Sequence, residues 1–139
     1  MYILDTDHMS VLERGGSAAQ PLIERLSKIN DFDIATSIVS YEEQCRGWIA
    51  LTSREKDEAL IRAYVRLGQH LEIYSGMTVI SFSSQAHAIY QELRRTKVRV
   101  GAQDLKIASI VLANDAILLT RNLRDFSQVP NLIFADWTL

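Results

Sequence analysis

Side chains that offer only oxygen recur at four separated places in this chain. Asp5 directly follows the apolar run Tyr2-Ile3-Leu4, with Asp7 two residues later. Glu42 and Glu43 stand together after a second apolar stretch, Asp104 precedes a long apolar segment, and Asn122 and Asp125 follow Ile117-Leu118-Leu119-Thr120. Carboxylates held a few ångströms apart repel one another and need a cation or a proton to coexist. Hard oxygen donors without His or Cys select magnesium or manganese over zinc. Such an ion acidifies a water, sets it in line with a phosphodiester and stabilises the charge that develops.

Each acid also has a purely structural use. Asp5 suits an Asx turn, Asp7 an N-cap for a helix beginning at His8 or Met9, and Asp125 a turn before Phe126. Asp104 in a first helical turn complements the macrodipole. Ser40-Tyr41-Glu42-Glu43 matches the S/T-x-x-E capping box, which puts Glu43 at N3 and accounts for it without chemistry. The signal lies in the ordered set rather than in any one member.

Short apolar runs at Tyr2 to Leu4, Asp33 to Thr36, Thr78 to Phe82, Ile117 to Thr120 and Leu132 to Phe134 read as strands. Leu60, Tyr64, Leu67, Leu71 and Tyr74 recur at steps of four and three, which predicts one amphipathic helix over about 54–74. Thr52-Ser53-Arg54-Glu55 is a second capping-box match and marks a helix start. Leu105, Ala108, Val111 and Leu112 predict a helix over about 103–114. Strands alternating with helices give a parallel sheet covered on both faces, a three-layer α/β/α fold. Ligands of such sheets bind beyond the carboxyl ends of the strands, where these acids would lie.

The 139 residues, 47% hydrophobic, are expected to form a single domain over 1–139. The N-terminus lacks a leader and no run is apolar enough to span a bilayer, so a cytoplasmic protein without a membrane partner is expected. The lone Cys45 excludes an internal disulfide and a multi-cysteine zinc site. A net charge of −2 argues against holding nucleic acid by global electrostatics. Local contact remains open: Arg94, Arg95, Lys97 and Arg99, with Arg121 and Arg124 further on, form either a phosphate-tracking patch or a solvated helix end. His70 and His87 have no partner at metal-ligand spacing, whereas His8 is close enough to Asp5 and Asp7 to line the site. Trp48 and Trp137 read as core or interface aromatics. The apolar face of the 54–74 helix exceeds what a small domain needs and suggests a homodimer, although it also suits packing on the sheet.

The stretch Tyr2-Ile3-Leu4-Asp5-Thr6-Asp7-His8-Met9-Ser10 resembles the opening of PIN-domain toxins of the VapC type. Thr36 to Gly47 looks like their second block, in which the acid stands four residues before a glycine and so selects Glu43 over Glu42. Asp104-Leu105-Lys106-Ile107-Ala108 resembles the third block and Leu118 to Phe126 the fourth; Val129-Pro130-Asn131-Leu132 followed by Asp136-Trp137 is also like many VapC endings. The resemblance implies a five-stranded parallel sheet and a divalent-metal endoribonuclease. It further implies a small antitoxin as partner and transfer or messenger RNA as substrate. By position, Asp5, Glu43 and Asp104 are the implied catalytic acids, Asp5 and Asp104 metal ligands, and Asp7, Thr120, Asn122 and Asp125 auxiliary. One departure stands out: many relatives carry a fourth acid where this chain has Asn122, which leaves a second metal position weak or completed by Asp125.

Two other readings compete. Asp5-Thr6-Asp7 is similar to the nucleophile and acid pair of haloacid dehalogenase-type phosphatases, but Met9 stands where that family has Thr or Val. A PIN domain that holds RNA or protein without cleaving is the binding-class alternative, kept open by Asn122.

Overall fold

The computed structural model describes residues 1–139. Five parallel strands, β1 (Tyr2–Leu4), β2 (Ile34–Ser37), β3 (Thr78–Ile80), β4 (Ile117–Leu119) and β5 (Ile133–Ala135), form a sheet of order β3-β2-β1-β4-β5. The central strand β1 pairs Leu4 with Thr36 on one side and with Leu119 on the other. The predicted strands are all present, shifted by a residue or two at their ends.

Alternation along the strands sends their side chains to two cores. Ile3, Ala35 and Leu118 face one layer, built on α5 (Ser84–Arg95) and α6 (Ala102–Ala113). Leu4 and Leu119 face the other, where α1 (Thr6–Arg14), α2 (Gln20–Leu26) and α4 (Asp57–Ser75) supply Met9, Leu22 and Tyr74. The result is the expected α/β/α sandwich. Half of the residues of α6 are buried, including Ile107, Ile110 and Val111. A short α7 (Leu123–Phe126) anchors Phe126 beneath it. No helix is long and apolar enough to cross a membrane.

At two junctions a strand turns into a helix with no loop between. Asp5 N–H continues the ladder to Leu119 O, while Asp5 C=O accepts the first helical bond from Met9 N. Asp5 is thus the N-cap of α1, and Asp7 lies in its first turn rather than capping a later helix, because the turn begins where the ladder ends. At the second junction Ser37, the last residue of β2, caps α3 (Ile38–Arg54), its Oγ accepting from Ser40 N at 3.1 Å. The Ser40 capping box therefore does not form. Its serine is already inside the helix, and Glu43 is released from any capping role.

The Thr52 capping box also fails. Helix α3 runs through it to Arg54, and the hydroxyls of Thr52 and Ser53 bond back to Ile49 O instead. The next helix, α4, starts at Asp57 without a side-chain cap and folds back on α3. Its inner face carries Ala63, His70 and Tyr74, whereas Tyr64 and Leu71 of the predicted stripe are exposed. At the end of α1, Gly15 adopts a φ of 63° with an extended ψ of −150°, a conformation open to glycine that releases the chain after Arg14.

Candidate functional site

Asp5 is 5% exposed at the carboxyl end of the central strand. Its Oδ1 accepts the Thr6 N–H at 2.8 Å and its Oδ2 accepts the Thr120 hydroxyl at 2.7 Å. Thr120, just past β4, accepts Asn122 N–H at 3.0 Å in turn. Burial above all, and then the nearby Asp7 charge, push Asp5 from 3.8 up to about 7, against the lowering pull of the Thr120 and Thr6 hydrogen bonds.

Glu43, one turn into α3, reaches across to α1, where its Oε2 accepts the Thr6 hydroxyl at 2.8 Å. Its neighbour Glu42 is instead engaged by Arg46 at 2.7 Å and by Gln103 at 3.1 Å. Geometry and charge thus separate the two glutamates: one is neutralised on the surface, the other faces the acids. Asp104, in the first turn of α6, is raised by burial first and then by Glu43, Asp125 and Asp7. The Asn122 amide bridges Asp104 and Asp125, donating to Asp125 Oδ2 at 3.0 Å and, more weakly, to Asp104 Oδ2 at 3.4 Å. Its nitrogen, not its carbonyl oxygen, faces these carboxylates. Asp125 sits in the first turn of α7 rather than in an open turn.

Asp7 is braced on three sides. Its Oδ2 accepts Arg121 N–H at 2.9 Å and lies 3.4 Å from the Thr120 hydroxyl, while its Oδ1 meets His8 Nδ1 at 2.8 Å. His8 is fully buried, and its Nε2 accepts Trp137 N–H at 3.2 Å. A backbone N–H can only donate, so the imidazole hydrogen sits on Nδ1 and points at Asp7. His8 therefore ties the C-terminal segment to the site instead of lining it. Trp137 packs against Tyr2, and Trp48 lies under the Arg66 guanidinium.

The basic residues at the end of α5 stand apart. Arg94 rests on Tyr90, Arg95 is paired with Glu92, and neither they nor Lys97 nor Arg99 bonds to the acids. His70 is buried against Tyr41 and Tyr74 with no hydrogen-bond partner, and burial lowers its proton affinity. Thr6 stands within the Asp5-Thr6-Asp7 motif, which assigns it no role of its own. Its only signal is a hydroxyl directly after a strand-end acid.

No Lys, Arg or His comes within ion-pair distance of Asp5, Glu43, Asp104 or Asp125. A donor set made only of oxygens, with a buried carboxylate and no cationic partner, fits a hard divalent ion. No three or more His, Cys, Asp or Glu side chains stand close enough together to hold a metal ion among themselves. An ion here would complete its shell with water, as magnesium commonly does.

The comparisons with known proteins agree along nearly the whole chain. Ribonuclease VapC2 of Rickettsia felis is 28% identical over 142 residues, covering 99% of this chain and 98% of its own length. Ribonuclease VapC1 of Haemophilus influenzae is 26% identical over 141 residues with the same coverage. The solved structure of VapBC2 from Rickettsia felis bound to a DNA fragment from their promoter matches with a TM-score of 0.73 at 27% identity, covering 98% of each chain. The PIN domain model matches residues 2–132, a span that takes in Asp5, Glu43, Asp104 and Asp125 with the strands and helices that carry them, and the chain belongs to the PIN domain family.

Proposed function

We propose that this chain is a magnesium-dependent endoribonuclease, with manganese able to substitute, acting as the toxin of a type II toxin–antitoxin pair. The observation that carries this reading is the buried Asp5, which has no cationic partner and shares Thr6 with Glu43 and an electrostatic field with Asp104. Full-length similarity to VapC ribonucleases supports it. Asp5 and Asp104 would hold the ion, with Glu43 beside them. A bound magnesium supplies Lewis acidity at the phosphate and lowers the pKa of water. The protein's own part is orientation. Thr120 fixes Asp5, Asp7 is locked by His8 and Arg121 N–H, and Asn122 keeps Asp104 and Asp125 together despite their like charge. Glu43 Oε1 carries no hydrogen bond from the protein, and we assign it the proton of the attacking water. Arg94, Arg95, Lys97 and Arg99 would track the phosphates of a transfer or messenger RNA. The antitoxin would silence the site with an arginine whose planar fork spans two of the carboxylates.

The test is cleavage of structured RNA by the purified chain, with and without magnesium. Asp5→Asn, Glu43→Gln and Asp104→Asn should each lose more than ~100-fold in rate, beyond what an outer-shell partner gives, with the circular dichroism spectrum unchanged. Full activity in all three variants sinks the assignment. RNA binding without cleavage by the unsubstituted chain would support the binding-only alternative, for which Asn122 in place of an acid is the motivating feature.

A further inference from the structure

We infer that Thr6 is the positioning residue of the acidic centre, holding Asp5 and Glu43 in one fixed relation although they stand on different elements. The inference rests on the reading above that these acids hold a divalent ion. Thr6 makes both contacts at once: its N–H donates to Asp5 Oδ1 at 2.8 Å and its Oγ1 to Glu43 Oε2 at 2.8 Å.

The direction of the second bond is set by what lies behind it. Thr6 Oγ1 is also 3.1 Å from Ser40 Oγ, which is 3.3 Å from Ser37 Oγ. An ionised carboxylate only accepts, and each hydroxyl has a single proton. All contacts are met when Ser37 donates to Ser40, Ser40 to Thr6 and Thr6 to Glu43. Ser37 and Ser40 are fully buried, so water does not compete for their protons. Ser37 is in turn fixed as the last residue of β2 and the cap of α3. The relay therefore runs from the sheet, through three hydroxyls, to a carboxylate at its edge. Threonine suits the position because branching at Cβ restricts its χ1 and keeps the hydroxyl aimed. Glutamate loses rotamer freedom when it binds an ion, and a side chain already restrained loses less.

Thr6→Val replaces the hydroxyl with a methyl group and keeps the branching and the amide. With manganese alone as the probe, calorimetry should show affinity about tenfold weaker in Thr6→Val and in Thr6→Ala, a typical loss for an outer-shell partner. Thr6→Ser, which keeps the hydroxyl, should restore most of it. In RNA cleavage, kcat should fall while KM holds. Combined with Glu43→Gln, Thr6→Val should add no further loss, because Thr6 acts on Glu43 through the bond that the first change has already weakened. Unchanged manganese affinity in Thr6→Val and Thr6→Ala overturns the proposal, as does a fall in thermal stability alone. A distinct pattern marks failure of the underlying reading: manganese that binds neither the unsubstituted chain nor any variant, or binds Asp104→Asn undiminished, removes the metal centre and this role with it.

Discussion

At the scale of single residues, Asp5 is the point where folding and the proposed chemistry conflict. An unfolded aspartate titrates near 3.8, but in the fold burial and Asp7 carry Asp5 to about 7. The folded state therefore binds the proton more tightly. The stability this gives is complete below about pH 4 and is lost as pH rises through 7. We predict that thermal unfolding of the metal-free protein shows such a decline, that Asp5→Asn abolishes much of it, and that this variant is more stable by ~1–3 kcal/mol at pH 8. Magnesium should flatten the wild-type decline by favouring the carboxylate. A wild-type midpoint that rises between pH 5 and 8 without metal would contradict this account. The acids were legible in the sequence because each follows or opens an apolar element. The roles of Thr6 and His8 were not, since each depends on a partner far away in the chain, Glu43 for one and Trp137 for the other.

At the scale of elements, five strands and the central helices could be read from short apolar runs and helical spacing. Helix starts were less secure. Ser40-Tyr41-Glu42-Glu43 has the composition of a cap, yet Ser37 takes that position because β2 ends there and the chain enters the helix without a loop. A local pattern cannot reveal which of two serines meets the end of the sheet. The two assignments predict different mutants. Ser37→Ala should cost about 1 kcal/mol, the usual value of an N-cap. Glu43→Ala gives up the Thr6 hydroxyl bond but removes a charge that bears on Asp104, so its net cost should stay well below that of Ser37→Ala. Denaturant titration of both variants decides the matter; a loss for Glu43→Ala comparable to that for Ser37→Ala would return Glu43 to the cap. Likewise the α4 periodicity correctly marked a helix but mixed its two faces, since Tyr64 and Leu71 turn outward while His70, a polar residue, turns in.

At the scale of the whole molecule, the outward face of α4 supports the proposed homodimer. Ile61, Tyr64, Val65 and Leu71 are each more than half exposed and cluster on one side of the helix. Light scattering at micromolar concentration should give twice the chain mass, and Val65→Glu or Leu71→Glu should shift it to the monomer without unfolding. A monomeric mass for the unsubstituted chain refutes the dimer. The sheet order carries a different consequence. Strand β1 lies between β2 and β4, and the bonds that complete its edge join Thr120 to Asp5 and Arg121 to Asp7, across 115 and 114 residues. A ribosome making this chain exposes Asp5 first and Thr120 long afterwards. For most of that interval the emerging polypeptide carries Asp5, Asp7 and Glu43 but neither Asp104 nor the bonds from Thr120 and Arg121. Under the proposed function, a fragment that ends before β4 lacks the Thr120 and Arg121 bonds that fix Asp5 and Asp7 and should not cleave RNA.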